Sequence, residues 1–277
     1  MKLKIFAFAA ALTVTPVAAL ADRVLSIGGS VTEIVYALGE GDRLVARDST
    51  SNFPAEATEL PDVGYIRQLS AEGVLSVAPD LILMEGGAGP AETIDLLREA
   101  EIPMVEVADG YTPDAVEDKI HAVAKALNVP DKGDALAAEV RAQIAEARAT
   151  VGDGVPRVLF VLSQASGRIM AAGEGTSAEA IIELAGGENA LSGFQGYKQI
   201  SEEAVLAAAP DVILMMDREG DHAVANDELF SQPAFASTPA AEGERVVRMD
   251  GLLLLGFGPR VGEAVSQLAA ALHSDEG

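Results

Sequence analysis

Cysteine and tryptophan are both absent from the 277 residues, aromatic residues make up only 4%, and acidic residues outnumber basic ones 43 to 19. Without cysteine there is no thiol nucleophile, no disulfide to staple the fold and no thiol to carry a lipid anchor. The scarcity of aromatic rings argues against a sugar platform of stacked side chains. A net charge of −24 repels nucleic acid and anionic lipid surfaces, so neither is expected as a partner, and the plainest use of the acids is solubility. His121, His222 and His273 are scattered, which argues against a dedicated zinc or manganese site. The motifs G-x-S-x-G, H-E-x-x-H and G-x-x-x-x-G-K-[ST] are missing as well. No set of nucleophile, acid and base stands in their place, and the chain reads as a binding protein rather than an enzyme.

What is present begins with Met1-Lys2-Leu3-Lys4, an apolar run from Ile5 to Leu20 broken only by Thr13, Thr15 and Pro16, and a small-residue end, Ala19-Leu20-Ala21. This is the pattern of a secretory signal peptide over residues 1–21, cleaved after Ala21. Its uninterrupted apolar part falls short of the roughly 20 residues that a membrane-spanning helix needs. The expected product is a free periplasmic protein, not a lipoprotein.

Beyond it, short Val/Ile/Leu-rich runs alternate with helical periodicity. Strands are expected at Arg23–Ile27, Arg43–Ala46, Asp80–Met84, Pro103–Val107, Arg157–Leu162, Asp211–Met215 and Arg245–Met249. Helices are expected at Val31–Leu38, Ala71–Val77, Ala91–Ala100, Pro113–Leu127, Ser177–Leu184, Glu202–Ala208 and Pro259–Leu272. The alternation predicts an α/β fold with mainly parallel sheets. Gly64-Tyr65 through Ser70, Glu72, Val74-Leu75 and Ala78-Pro79-Asp80 returns as Gly196-Tyr197 through Ser201, Glu203, Val205-Leu206 and Ala209-Pro210-Asp211. This internal repeat implies two similar lobes, 22–130 and 152–277. Between them, 131–151 carries Leu136, Val140 and Ile144 at four-residue spacing and predicts one long connecting helix. Ligand is expected in the cleft between the lobes.

Three glycine-rich pieces, at 28–30, 86–89 and 173–176, each follow a strand and precede a helix. They read first as tight turns leading into helices, and second as backbone N–H groups facing a ligand carboxylate. Tyr65 stands out in Val63-Gly64-Tyr65-Ile66-Arg67-Gln68-Leu69. A phenolate is an anionic oxygen donor suited to ferric heme, and a cation two residues away would favour the ionised form. Taken alone, a loop tyrosine is more often a packing or hydrogen-bonding residue. Glu72 and Glu203 both follow a serine by two positions, where an acid favours the helix dipole.

The segments 64–73, 26–33, 171–176 with 184–187, and 255–260 together resemble the periplasmic hemin-binding proteins of the HmuT type, across essentially the whole chain after residue 21. The start and the repeat resemble the wider class that carries siderophores and cobalamin, and Gly-Tyr-x-Arg-x-Leu is the heme-specific part. The resemblance implies the two-lobed fold of a class III periplasmic binding protein and capture of heme between the lobes. It implies Tyr65 as axial iron ligand with Arg67 hydrogen-bonding its oxygen, and delivery to the permease subunits of an ABC importer in the inner membrane, downstream of an outer-membrane heme receptor system. Tyr197 has Gln199 rather than Arg two positions on, and is expected as a wall of the cleft. Glu72 and Glu203 are the docking glutamates that the resemblance implies, with Glu202 an alternative to Glu203. A siderophore or cobalamin carrier of the same fold is the first rival reading; a heme-degrading enzyme is the second.

Overall fold

The computed structural model describes residues 23–165, 168–217 and 225–274. The leader expected over residues 1–21, and His222, lie outside them. In chain order the elements are β1 (Val24–Ile27), α1 (Gly29–Ala37), β2 (Leu44–Arg47), α2 (Ala71–Ser76), β3 (Leu81–Glu85), α3 (Ala91–Glu99), β4 (Met104–Val107), α4 (Pro113–Ala126) and α5 (Pro130–Ala149). There follow β5 (Arg157–Ala165), β6 (Arg168–Ala172), α6 (Ser177–Leu184), β7 (Glu188–Asn189), β8 (Tyr197–Ile200), α7 (Glu202–Ala208), β9 (Val212–Met216), α8 (Asn226–Phe230), α9 (Pro239–Glu242), β10 (Val246–Met249), α10 (Gly251–Leu255) and α11 (Val261–Leu272).

The first lobe is a parallel sheet in the order β2-β1-β3-β4. The second has the order β10-β9-β5-β6-β8, with β7 on the start of β5. Here β10, β9 and β5 are parallel, whereas β6 and β8 join antiparallel. The sequence expectation missed β6 and β8, so the second sheet is mixed.

Side-chain alternation along the strands divides the core. Leu81 and Leu83 of β3, and Val158, Phe160, Val212 and Leu214 of β5 and β9, look into one apolar core shared by both lobes. Val140, Ile144 and Ala147 of α5 and Val265 and Leu268 of α11 complete it. The intervening residues look the other way: Ile82 and Met84 onto Val74 and Leu97, and Leu159 and Ile213 onto Val205 and Phe235. Helix α5 buries Gly133, Ala137, Val140, Ile144 and Ala147, a stripe at three- and four-residue steps, and begins on Pro130, whose fixed φ suits a first turn. At 1.5 Å per residue its 20 residues span about 30 Å, long enough to pack on α4 of one lobe and α11 of the other.

The repeat is built twice in atomic detail. The Arg23 N–H meets Asp80 Oδ1 at 3.1 Å, and the Arg157 N–H meets Asp211 Oδ2 at 2.8 Å. Each guanidinium then caps the repeated helix of its lobe: Arg23 donates to the carbonyls of Val77 and Ala78 after α2, and Arg157 to that of Ala208 at the end of α7. Ala78 and Ala209, just before Pro-Asp, share a left-handed conformation at φ 44° and 43°. Such backbone costs about 1 kcal/mol outside glycine, and the arginine clamp holds it in both lobes.

Across the lobes, Arg260 grips the buried carboxylate of Glu33 at 2.5 and 3.2 Å and lies 3.5 Å above the Phe53 ring. Burial pushes the Glu33 carboxyl up, and Arg260 opposes that shift. Removing one partner of a buried pair leaves an uncompensated charge, a loss of roughly 3 kcal/mol or more, whereas an apolar pair of similar volume is close to neutral. Arg260→Ala should therefore lower urea stability by that amount, and Glu33→Leu with Arg260→Met should recover most of it. Equal stability of Arg260→Ala and the parent would show that the pair contributes nothing.

Candidate functional site

A cleft of about 510 Å³ opens between the lobes. The first lobe supplies Ser30, Tyr65, Arg67, Glu85, Asp109 and Tyr111. The second supplies Leu162, Ser177, Tyr197, Met216, Leu252 and Leu255. One wall is thus polar and aromatic, and the other largely apolar.

Tyr65 sits in a loop braced from both sides. Gly64 turns at φ +105°, a conformation suited to glycine, and its N–H is held by Asp62 at 2.8 Å. The Gln68 N–H bonds to the Tyr65 carbonyl, while Gly89 donates to Ile66 and receives the Leu69 N–H. Val63 and Leu69 are buried anchors. Tyr65, 44% exposed, and Arg67 project outward into the cleft. Among the described residues neither side chain has a hydrogen-bond or ion-pair partner, and none joins the two to each other. Among the described residues the Tyr65 oxygen is therefore uncommitted.

Tyr197 takes a different path despite its matching place in the repeat. It lies on β8, in register with Ala172 of β6, where the first lobe has a turn. Its hydroxyl is 3.3 Å from Ser177 Oγ, and its ring packs edge-on to Phe160 at 6.3 Å.

The floor is a network that the sequence reading did not anticipate. Lys119 of α4 is 1% exposed and reaches Glu85 Oε1 at 3.2 Å and Asp109 Oδ1 at 3.4 Å. Ser30 donates to Glu85 at 2.7 Å, and the Tyr111 hydroxyl donates to Asp109 at 2.8 Å. Burial pushes the Glu85 carboxyl up, an effect that Lys119 and Ser30 oppose. Burial also pushes the Tyr111 phenol up, and donation to Asp109 adds to it. One signal was available in the sequence: Lys119 falls on the buried stripe of α4 with Val116, Ile120 and Val123, a place for a cation only when it is paired.

The glycine-rich pieces are mostly spent on the fold. The Gly28 N–H goes to Asp48, Gly86 to Val107, Gly173 to Gly196 and Gly175 to Glu179. The first reading of these segments, as turns, accounts for them. His121 lies 3.4 Å from Asp134, and His273 faces the carbonyls of Asp153 and Ala185. Among the described residues no group of three or more metal-ligating side chains converges.

Glu72 and Glu203 are exposed, and each is the second residue of its short helix. Ser70 and Ser201 cap these helices by accepting the N–H of Gly73 and Ala204. Glu202 occupies the first helical position, so Glu203 is the structural counterpart of Glu72. The Glu203 carboxyl is held below the usual range by its own backbone N–H and the Ser201 hydroxyl.

A two-lobed α/β chain with a ligand-sized cleft between lobes joined by one long helix defines the class of solute-binding proteins. The chain belongs to the periplasmic binding protein family, whose model matches residues 24–252. It is 40% identical to the periplasmic heme-binding protein RhuT from Roseiflexus sp. RS-1, with a TM-score of 0.87 over 91% of this chain and 98% of that one. A structure of periplasmic heme-binding protein BhuT in complex with two hemes is also 40% identical, with a TM-score of 0.85 over 90% and 98% of the two chains. The vitamin B12-binding protein of Vibrio cholerae is 28% identical over 254 residues, 91% of this chain and 89% of its own.

The floor network generates a test with a definite sign. Without Lys119, Glu85 loses the cation that opposes its upward shift, and its folded-state affinity for protons rises. Stability tied to a raised carboxyl pKa is present at low pH and lost as pH rises through the folded value. Lys119→Met should therefore be most destabilised near neutrality, and thermal melts should show it recovering toward the parent on acidification. A deficit independent of pH would mean that Lys119 acts only through packing.

Proposed function

We propose that this protein binds hemin in the periplasm and passes it to an ABC importer in the inner membrane. Tyr65 supplies a phenolate to the ferric iron, Arg67 favours the ionised oxygen, and Tyr197 forms part of the opposite wall. The single observation that carries this reading is the phenol of Tyr65, which lines the cleft together with Arg67 on a hydrogen-bonded loop and has no hydrogen-bond partner among the described residues. Its support from outside the chain is the 40% identity to periplasmic heme-binding proteins. The apolar side chains of the second lobe suit a porphyrin face. The accompanying organisation is a leader over residues 1–21 removed after Ala21 without lipidation, lobes at 22–130 and 152–277, and the connecting segment 131–151. Glu72 and Glu203 meet the permease subunits, and an outer-membrane heme receptor system supplies the ligand. The protein binds and delivers without chemical conversion. Cobalamin is the second reading, favoured by the Vibrio cholerae relative; it gives Tyr65 no task.

Tyr65→Phe removes the donor oxygen and little volume. It should erase the phenolate-to-iron charge-transfer band and weaken hemin binding by roughly tenfold or more, equivalent to about 1.4 kcal/mol. A Tyr65→Phe complex with the parent's spectrum and affinity would sink the ligand assignment. In Arg67→Ala, protons compete better for the phenolate because the neighbouring cation is gone. Hemin should then be released at a higher pH than from the parent, read by absorbance during acid titration.

A further inference from the structure

The two repeated helices share a feature that the fold does not use. Leu75 on α2 is 39% exposed and Leu206 on α7 is 40% exposed. Each follows a fully buried valine, Val74 or Val205, and each stands three residues after a glutamate, Glu72 or Glu203. Residues three apart share a helix face, so each lobe presents a carboxylate and a leucine side by side. A single exposed leucine has no meaning by itself. Two at matching places in a duplicated fold, equally exposed and equally placed beside an acid, form a surface with approximate two-fold repetition. Among the described residues neither glutamate pairs with a cation of this chain. The arginine clamps of Arg23 and Arg157 hold the far ends of both helices against their sheets, so the surface is presented in fixed geometry.

We propose that Leu75 and Leu206 are the apolar anchors of a docking surface for the two membrane subunits of the importer. Each subunit offers an apolar depression beside a cationic side chain. The duplicated spacing calls for a partner that is itself two-fold, and the carboxylates call for positive charge next to each depression. This rests on the delivery reading given above and adds to it a division of labour. The glutamates steer approach and set register, whereas the leucines lose water on contact and slow dissociation.

The test uses the hemin-loaded full chain with its cognate permease in lipid vesicles. Leu75→Ala with Leu206→Ala should bind hemin as the parent does, yet associate roughly tenfold more weakly, mainly through faster dissociation, because two half-exposed leucines no longer leave water. Its salt dependence should match the parent's, since the glutamates remain. Leu96→Ala, at a position 54% exposed on α3 and outside the repeated helices, should associate normally. Association of the leucine variant at the parent's strength overturns the anchor assignment while leaving the delivery reading intact. A parent protein that shows no association with the permease overturns both.

Discussion

A single apolar core runs from sheet to sheet through α5 and α11, and the geometry of the cleft depends on it. Alternate residues of β3, β5 and β9 point into that shared core, so the lobes cannot separate widely without exposing Leu83, Phe160 and Leu214 to water. The Glu33–Arg260 pair and the Tyr111–Phe257 ring contact at 5.4 Å tie the lobes again. A binding protein of this kind keeps a preformed cleft and spends little of its affinity on ordering the site.

Within that frame the polar groups of the cleft divide into two kinds. Glu85, Asp109, Lys119, Ser30 and Tyr111 satisfy one another, and their order is part of the fold. Among the described residues the Tyr65 and Arg67 side chains have no such partner, in a loop anchored by the N–H groups of Gln68, Leu69 and Gly89. A donor atom that no neighbour in the described fold occupies, carried on an anchored loop, is open to a ligand. That difference in commitment, more than the residue type, singles out Tyr65 from Tyr111 and Tyr197.

Most of the architecture was legible because it rests on local rules: strand runs, Ser caps, a breaker-free stretch and a repeated motif. The two copies of the repeat differ in one respect. Gly196-Tyr197 matches Gly64-Tyr65 residue for residue, yet Tyr197 is drawn into β8 by pairing with β6, a long-range contact that neither copy encodes locally. Strands β6 and β8 escaped notice for the same reason: they are short, and β8 is largely exposed, so no continuous apolar run marks it. The floor network brings together residues from positions 30, 85, 109, 111 and 119, and only the out-of-place Lys119 hinted at it. The register of the glutamates was legible in the repeat, where each stands two residues after a serine, and the helix starts agree with it by making both the second helical residue.

The central claim is that this cleft is built for ferric porphyrin, and parallel calorimetric titrations with hemin and with cyanocobalamin test it most directly. The account predicts saturable heat with hemin, accompanied by a phenolate-type ferric spectrum, and none above dilution with cyanocobalamin. Saturable binding of cyanocobalamin, with hemin giving only non-saturating uptake, would contradict it.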